Sequence, residues 1–222
     1  MDLQTLDELA NKYNTDKGTA FSGPTKHGYT PFYENFMLPI RHLPIRLLEI
    51  GICMEGTEGG HSLNLWLEYF SNASVFTFDI EDMSQHPSIK DNPRVKFFQG
   101  DQNNREDFTS MYNSFGNEQF DFIIEDGSHR HDHQMISFGH LFKYVKSGGF
   151  YILEDMTIPG QEVFGVRNDE TLPALENLRA TGKINCSHML SEEKSYIEEN
   201  FLSLDIMTDV LGKYATSVIY KK

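Results

Sequence analysis

Cysteine is scarce: two residues in 222, Cys53 and Cys186, far apart and in no CxxC pattern. That spacing argues against a disulfide framework, and reduced thiols in a cytoplasmic chain are the expectation. Cys53 falls in a ligand-type loop, but no partner base lies near it in sequence to make it a nucleophile. Positive charge is in short supply as well. Nineteen basic residues against 33 acidic ones leave a formal net charge of −14. Such a balance argues against nucleic acid or an anionic membrane as partner, because both are bound through Lys and Arg. No apolar run is long enough to span a bilayer. The start, Met1-Asp2-Leu3-Gln4-Thr5-Leu6-Asp7-Glu8, lacks a basic n-region and an apolar core, so no signal peptide is expected there. Repeats and low-complexity segments are missing too. What is present is a globular composition, 39% hydrophobic and 13% aromatic, of a length that suits one α/β domain with a sizeable core.

The apolar periodicity alternates between two kinds. Leu3, Leu6, Leu9 and Ala10 recur at helical spacing. A polar, turn-rich stretch follows, with Thr15-Asp16-Lys17-Gly18, Gly23-Pro24 and His27-Gly28. Residues 31–38 predict a helix with Pro31 in its first turn. Core strands are predicted over 45–51, 75–79, 95–101, 120–125 and 150–154. Helical patterns lie between them, including one opened by Gly59-Gly60, with an apolar face of Leu63, Trp66, Leu67 and Phe70, and one over 134–144 closed by Ser147-Gly148-Gly149. Alternation of this sort means a parallel sheet with right-handed crossovers. The tail breaks the rule. Residues 201–207 and 216–220 are strand patterns joined by Leu211-Gly212-Lys213 with no room for a helix, so they predict an antiparallel hairpin, preceded by a polar helix over 192–199. The expected fold is thus α/β: a Rossmann-like, doubly wound sheet, mostly parallel, with a C-terminal antiparallel hairpin.

Ligands of open α/β sheets bind beyond the carboxyl ends of the strands. Here those ends carry acids: Glu49 before Ile50-Gly51, then Asp79, Asp101, Glu125-Asp126 and Glu154-Asp155. Taken singly, each could be a helix cap or a solvated charge. Gathered at one sheet edge, carboxylates repel one another unless a cation or a proton sits among them. His129, in Glu125-Asp126-Gly127-Ser128-His129, adds a group that moves protons near neutral pH. The combination predicts a metal-assisted active site. The loop after the first strand contains Gly51, Gly56, Gly59 and Gly60, which let a ligand approach the backbone. Its Gly51-Ile52-Cys53-Met54-Glu55-Gly56 stretch does not fit the GxGxxG of nicotinamide dinucleotide sites. Asp79 could still bind ribose hydroxyls.

Leu48-Glu49-Ile50-Gly51, Asp79, Gly100-Asp101-Gln102 and Glu125–His129 resemble the class I S-adenosylmethionine-dependent methyltransferases. The branch they most resemble is the metal-dependent sugar O-methyltransferases of macrolide and rhamnose tailoring. Thr15-Asp16-Lys17-Gly18 with His27-Gly28-Tyr29 is similar to that branch's N-terminal segment, and the terminal hairpin to that fold's last two strands. The likeness spans most of the chain up to about Asp155. It implies a single domain over 1–222, with residues 1–44 as a helical cap over the cofactor site and 45–222 as the core. It implies S-adenosylmethionine as cofactor, with Gly51 and the Gly59-Gly60-His61-Ser62 turn against its methionine part. Asp79 would bind the ribose, Asp101 and Gln102 would flank the adenine, and Glu49 and Glu125 would border the same pocket. Lys17 would help close the N-terminal segment over it. Asp126, Glu154 and Asp155 would hold Mg²⁺, and His129 would be the general base. The partner implied is a small-molecule hydroxyl acceptor, a sugar or glycoside, and such enzymes often form homo-oligomers. Departures from the pattern are Glu125 in place of aspartate, Cys53 in place of a loop glycine, and the segment Met156-Thr157-Ile158-Pro159-Gly160-Gln161.

The chemistry is consistent with the residues themselves. Methyl transfer from a sulfonium is an in-line displacement in which alignment contributes on the order of 7–11 kcal/mol. A cation bound to the acceptor oxygen lowers its pKa, and a histidine can then take its proton. A catechol-like or amine acceptor would use the same cofactor. A nicotinamide-dependent oxidoreductase would need the missing glycine fingerprint. A non-catalytic nucleotide-binding module would leave the carboxylates and histidine without a use. His129-Arg130-His131-Asp132-His133 falls one residue short of the HxHxDH zinc pattern, and alternate residues at a helix start point apart, so His131 and His133 are expected to face solvent or line the pocket.

Overall fold

The computed structural model describes residues 3–53, 58–158 and 170–222. Gly56, Met54, Glu55 and the Pro159-Gly160-Gln161 stretch singled out above lie outside these described residues. Seven strands form one sheet in the order β3-β2-β1-β4-β5-β7-β6. In sequence they are β1 (Arg46–Ile50), β2 (Ser74–Asp79), β3 (Val95–Gln99), β4 (Phe120–Glu125), β5 (Val145–Thr157), β6 (Phe201–Thr208) and β7 (Tyr214–Lys221). The first five pair in parallel. β7 inserts antiparallel between β5 and β6, which is the predicted hairpin.

Among the described residues, seven α-helices flank the sheet: α1 (Leu6–Lys12), α2 (Thr30–Met37), α3 (His61–Tyr69), α4 (Arg105–Ser114), α5 (His131–Leu141), α6 (Thr171–Thr181) and α7 (Ser191–Asn200). Their starts follow from side-chain chemistry. Thr5 and Glu8 close a reciprocal capping box on α1, Asn104 accepts from the Glu106 N–H at the start of α4, and Pro31 sits in the first turn of α2. Among the described residues, no helix is long and apolar enough to cross a membrane.

The inner strands β1, β2, β4, β5 and β7 are largely buried on both faces, and their side chains alternate between two cores. Leu47, Phe122, Ile124 and Ile152 pack with Leu9, Met37, Leu63 and Trp66 of α1–α3. Leu48, Ile123, Tyr151 and Leu153 pack on the other face with Phe108, Phe138, Leu175 and Ile197 of α4–α7. Two boundaries differ from the sequence reading. α5 begins at His131, one turn before Gln134. Ser147-Gly148-Gly149 does not terminate a helix but lies inside β5, where the pairing register with β4 shifts between Phe120 and Phe122 and absorbs the extra residues.

One polar strut ties the helical layer of α4–α7 together. Arg105 donates to both carboxylate oxygens of Glu193, at 2.7 and 2.8 Å, and the Leu190 N–H adds a third bond at 2.9 Å. Burial alone would raise the Glu193 pKa, but the Arg105 fork and His140 outweigh it and bring it down to about 2 from an ordinary 4.5. A depressed carboxylate stabilises the fold above its unfolded pKa, and that contribution disappears as pH falls through the folded one. Glu193→Gln should therefore cost about 1.5–3 kcal/mol at pH 7. In urea titrations across pH, the gap between the variant and the parent should close between about pH 4.5 and 2; a gap that stays constant over that window would contradict the assignment.

Candidate active site

The sheet order reverses between β1 and β4, so the crevice at their carboxyl ends is where such a sheet binds ligands. Gly51 closes β1 with φ +82°. A Cβ there would stand 2.1 Å from the Asp126 carbonyl oxygen, so only glycine lets the two strand ends meet. Asp126 N–H donates to Ile50 O and Gly51 N–H to Phe78 O, both at 2.9 Å.

Two neighbouring sites result. The first is a cleft of about 350 Å³ lined by Gly51, Cys53, Phe78, Asp79, Ile80, Glu81, Gly100, Asp101, Gln102, Gly127, Ser128 and His133, among others. Asp79 shapes its floor: one carboxylate oxygen accepts from Ile52 N and Cys53 N at 2.7 and 2.9 Å, the other from Glu81 N at 2.9 Å. Lone pairs on a carboxylate outnumber these bonds, so the group keeps capacity for a ligand hydroxyl. Of the residues expected around a cofactor, Gly51, Asp79, Asp101 and Gln102 line this cleft. Lys17, Glu49, Ser62 and Glu125 do not.

Glu125 shows why. Strand alternation sends it to the α4–α7 face with Ile123, away from Asp126. There it is fully buried, and it accepts from the Gln102 amide. The same Gln102 accepts from Ser128 N–H at 2.9 Å. Burial pushes the Glu125 carboxyl up to about 8. It is a strut beneath the cleft, and Gln102 connects it to the loop above. Glu49 points to the opposite face, where Trp66 Nε1 donates to it at 2.9 Å; burial raises it to about 7 against the pull of Lys17 and Trp66.

The second site is the carboxylate cluster. A register shift between Leu153 and Met156 in the β5–β7 pairing sets Glu154 and Asp155 in an irregular stretch of β5. Asp155 has φ +53° and His129 has φ +57°, left-handed conformations that cost a non-glycine residue energy and cluster at functional sites. One ligand atom each from Asp126, His129 and Asp155 falls within a 4.8 Å set. Glu154 is absent from that set and engages Lys17 instead. The Lys17 ammonium, 1% exposed, donates to Asp126 and, at 2.7 Å, to Glu154. Burial alone would lower its pKa, yet these two carboxylates drive it well above the ordinary value. Glu154 is pushed well up by burial and by the like charges of Asp126 and Asp155.

Asp155 goes the other way. Burial would raise it, but His27 beside it holds it well below the carboxylate range. His27 Nε2 lies 3.0 Å from Asp155 Oδ2, and the Tyr29 hydroxyl donates to Oδ1 at 2.7 Å. Burial would also lower His27, but Asp155 and Asp16 lift it to about 9, so it is a cation at neutral pH. His129 Nε2 stands 3.8 Å from Asp155 Oδ2. The other two histidines of the 129–133 segment diverge, His131 toward Glu170 and His133 to Ser128 Oγ at 2.8 Å, so no three-histidine site forms.

His27 and Tyr29 were given no role by the sequence, although both stand in the His27-Gly28-Tyr29 pattern. The signal was a buried-type aromatic pair in a turn-rich segment, and it acquires meaning only against Asp155. Asp126, Glu154 and Asp155, with Asp16 and Asp209 at 3.6 and 3.7 Å from His27, outnumber the two cations here, Lys17 and His27. That excess of negative oxygen donors fits a hard divalent cation such as Mg²⁺.

No protein-family model matches the chain. It is 34% identical over 166 residues to mycinamicin VI 2''-O-methyltransferase of Micromonospora griseorubida, covering 74% of this chain and 39% of that protein. It is 33% identical over 181 residues to demethylmacrocin O-methyltransferase of Streptomyces fradiae, covering 81% and 42%. The chain therefore spans about two-fifths of the length of these curated relatives. Its structure superposes on MycE, a methyltransferase of the mycinamycin biosynthetic pathway solved with Mg and SAH, with a TM-score of 0.76 and 28% identity over 99% of this chain and 55% of that one. An O-methyltransferase from Bacillus cereus shares the fold alone, at TM-score 0.56 and 16% identity over 100% of this chain and 93% of that one.

Removing Lys17 leaves Asp126 and Glu154 buried without their common cation. Lys17→Ala should lose about 3–5 kcal/mol, and excess Mg²⁺ should restore more stability to the variant than to the parent. Thermal melts with and without Mg²⁺ read both effects; an unchanged midpoint would refute the role given to this lysine.

Proposed function

We propose, from its homology to sugar O-methyltransferases and its class I methyltransferase fold, that this chain transfers a methyl group from S-adenosylmethionine to a hydroxyl of a sugar or glycosylated natural product. One observation carries the reading: Asp126, His129 and Asp155 meet at the switch point of the sheet, beside a cleft lined by Gly51, Asp79 and Asp101. The whole described sheet and its N-terminal segment would then act as one methyltransferase domain, with 1–44 as cap. Cysteines as few and as far apart as Cys53 and Cys186 suit a cytoplasmic setting.

S-adenosylmethionine would occupy the cleft and supply an electrophilic methyl group. The backbone around Gly51 is the close approach for its methionine part, Asp79 takes the ribose hydroxyls, and Asp101 borders the base. Asp126 and Asp155 would hold Mg²⁺, with Glu154, held by Lys17, as the carboxylate behind them; a hard cation there would make an acceptor hydroxyl more acidic. Tyr29 and His27 keep Asp155 oriented and ionised. His129 accepts the hydroxyl proton on the nitrogen that faces the cluster. The same ring could serve as a metal ligand, but Mg²⁺ prefers oxygen, which favours the base role. Lys17 bridges Asp126 and Glu154, and His27 holds Asp155 ionised, so the cluster is preorganised for a cation.

Calorimetry tests the cofactor. S-adenosylhomocysteine should bind the folded chain and NAD should not; no binding of S-adenosylhomocysteine would sink the proposal. With labelled cofactor and glycosylated acceptors, Asp155→Asn should abolish turnover while its S-adenosylhomocysteine affinity stays within a few fold. His129→Ala should lower kcat on the order of 10²–10⁴-fold with little change in the Mg²⁺ dependence. A large loss of Mg²⁺ affinity instead would reassign His129 as a ligand.

A further inference from the structure

A second convergence of donors lies outside the carboxylate cluster. It joins His131, the first residue of α5, Glu170, which precedes α6, and His188, in the connection between α6 and α7. One ligand atom from each falls within 4.8 Å of the others. His131 Nε2 is 2.8 Å from Glu170 Oε2, yet the approach lacks hydrogen-bond alignment. The rings of His131 and His188 meet edge-on with centroids 5.2 Å apart.

We propose that His131, Glu170 and His188 form a binding site for a late first-row divalent cation of the Zn²⁺ type. Two imidazoles and one carboxylate are a donor set that suits zinc and that Mg²⁺, which takes oxygen, does not favour. The second nitrogen of His131 is already committed: Nδ1 lies 2.9 Å from Thr171 Oγ1. A ligating histidine is usually oriented by such a bond from its other nitrogen. The His131 side chain is 11% exposed, so the site has one buried side and one open side.

His188 is placed by its backbone. Its N–H donates to Cys186 Sγ at 3.4 Å, and its carbonyl accepts from Arg105 at 2.7 Å, on the guanidinium held by Glu193. Glu170 and His188 are exposed, so an ion has an entry path and can keep a water. Residues 131, 170 and 188 come from three segments, so a bound ion would clamp the starts of α5 and α6 to the connection before α7. α5 begins two residues after His129, and the clamp would fix that turn.

The test uses the full chain, stripped with EDTA and then supplied with Zn²⁺ in excess Mg²⁺. After gel filtration, the parent should retain Zn²⁺ that His188→Ala and Glu170→Ala bind at least about tenfold more weakly, while Asp155→Asn retains it. Zn²⁺ should raise the melting temperature of the parent and not that of His188→Ala. Both altered residues are exposed, so loss of fold does not confuse the comparison. Zn²⁺ kept equally by His188→Ala, Zn²⁺ lost from Asp155→Asn alone, or none retained by the parent would each overturn the proposal.

Discussion

Everything around the switch point depends on one electrostatic constraint. Asp126, Glu154 and Asp155 are brought together at the end of the sheet, where Glu154 and Asp155 are buried and Asp126 keeps only part of its side chain exposed. Buried carboxylates in contact raise one another's pKa, and they stay ionised only if cations share the space. Lys17 meets Asp126 and Glu154, and His27 meets Asp155. The N-terminal segment therefore completes the electrostatics of the sheet as well as covering part of it. The neutralisation is incomplete, and that residual negative charge is the basis of the cation site proposed above.

The backbone cooperates with the charges. His129 and Asp155 both adopt left-handed φ without being glycine. Each conformation is held by its surroundings: His129 by the turn that leads into α5, Asp155 by the shifted pairing with β7 and by bonds from His27 and Tyr29. Local strain is tolerated where several fixed partners determine the geometry. Gly51 is the complementary case, a residue whose missing side chain allows β1 and β4 to close.

Much of the fold was legible because its inner strands are buried on both faces. Runs such as Phe122-Ile123-Ile124 and Tyr151-Ile152-Leu153 are continuous apolar text with an unambiguous reading. The proximity of Asp126 to His129 was legible too, since only two residues separate them. Glu125 and Asp126 have separate roles in the sequence reading as well, but the position of Glu125 beneath the cleft follows from strand alternation, which turns it to the face opposite its neighbour. The Lys17 bridge and the His27–Tyr29 clamp were not legible in physical detail. They depend on contacts across more than a hundred residues, and a polar turn segment carries no periodicity to announce them. The kink at Asp155 was hidden for a similar reason, because it is set by the register of β7, about sixty residues later.

The Lys17–Glu154 contact bridges 137 positions of sequence. Loop closure over that distance is among the costliest in the chain, and contacts of such separation are the slow ones to form. β1, β4 and β5 must be paired before the lysine has anywhere to go. The site is therefore a late product of folding, a seal applied once the sheet exists. A chain that has built its sheet but not yet seated residues 15–30 would hold three buried acids with no counter-charge, and self-repulsion would keep that edge open until the N-terminal segment arrives.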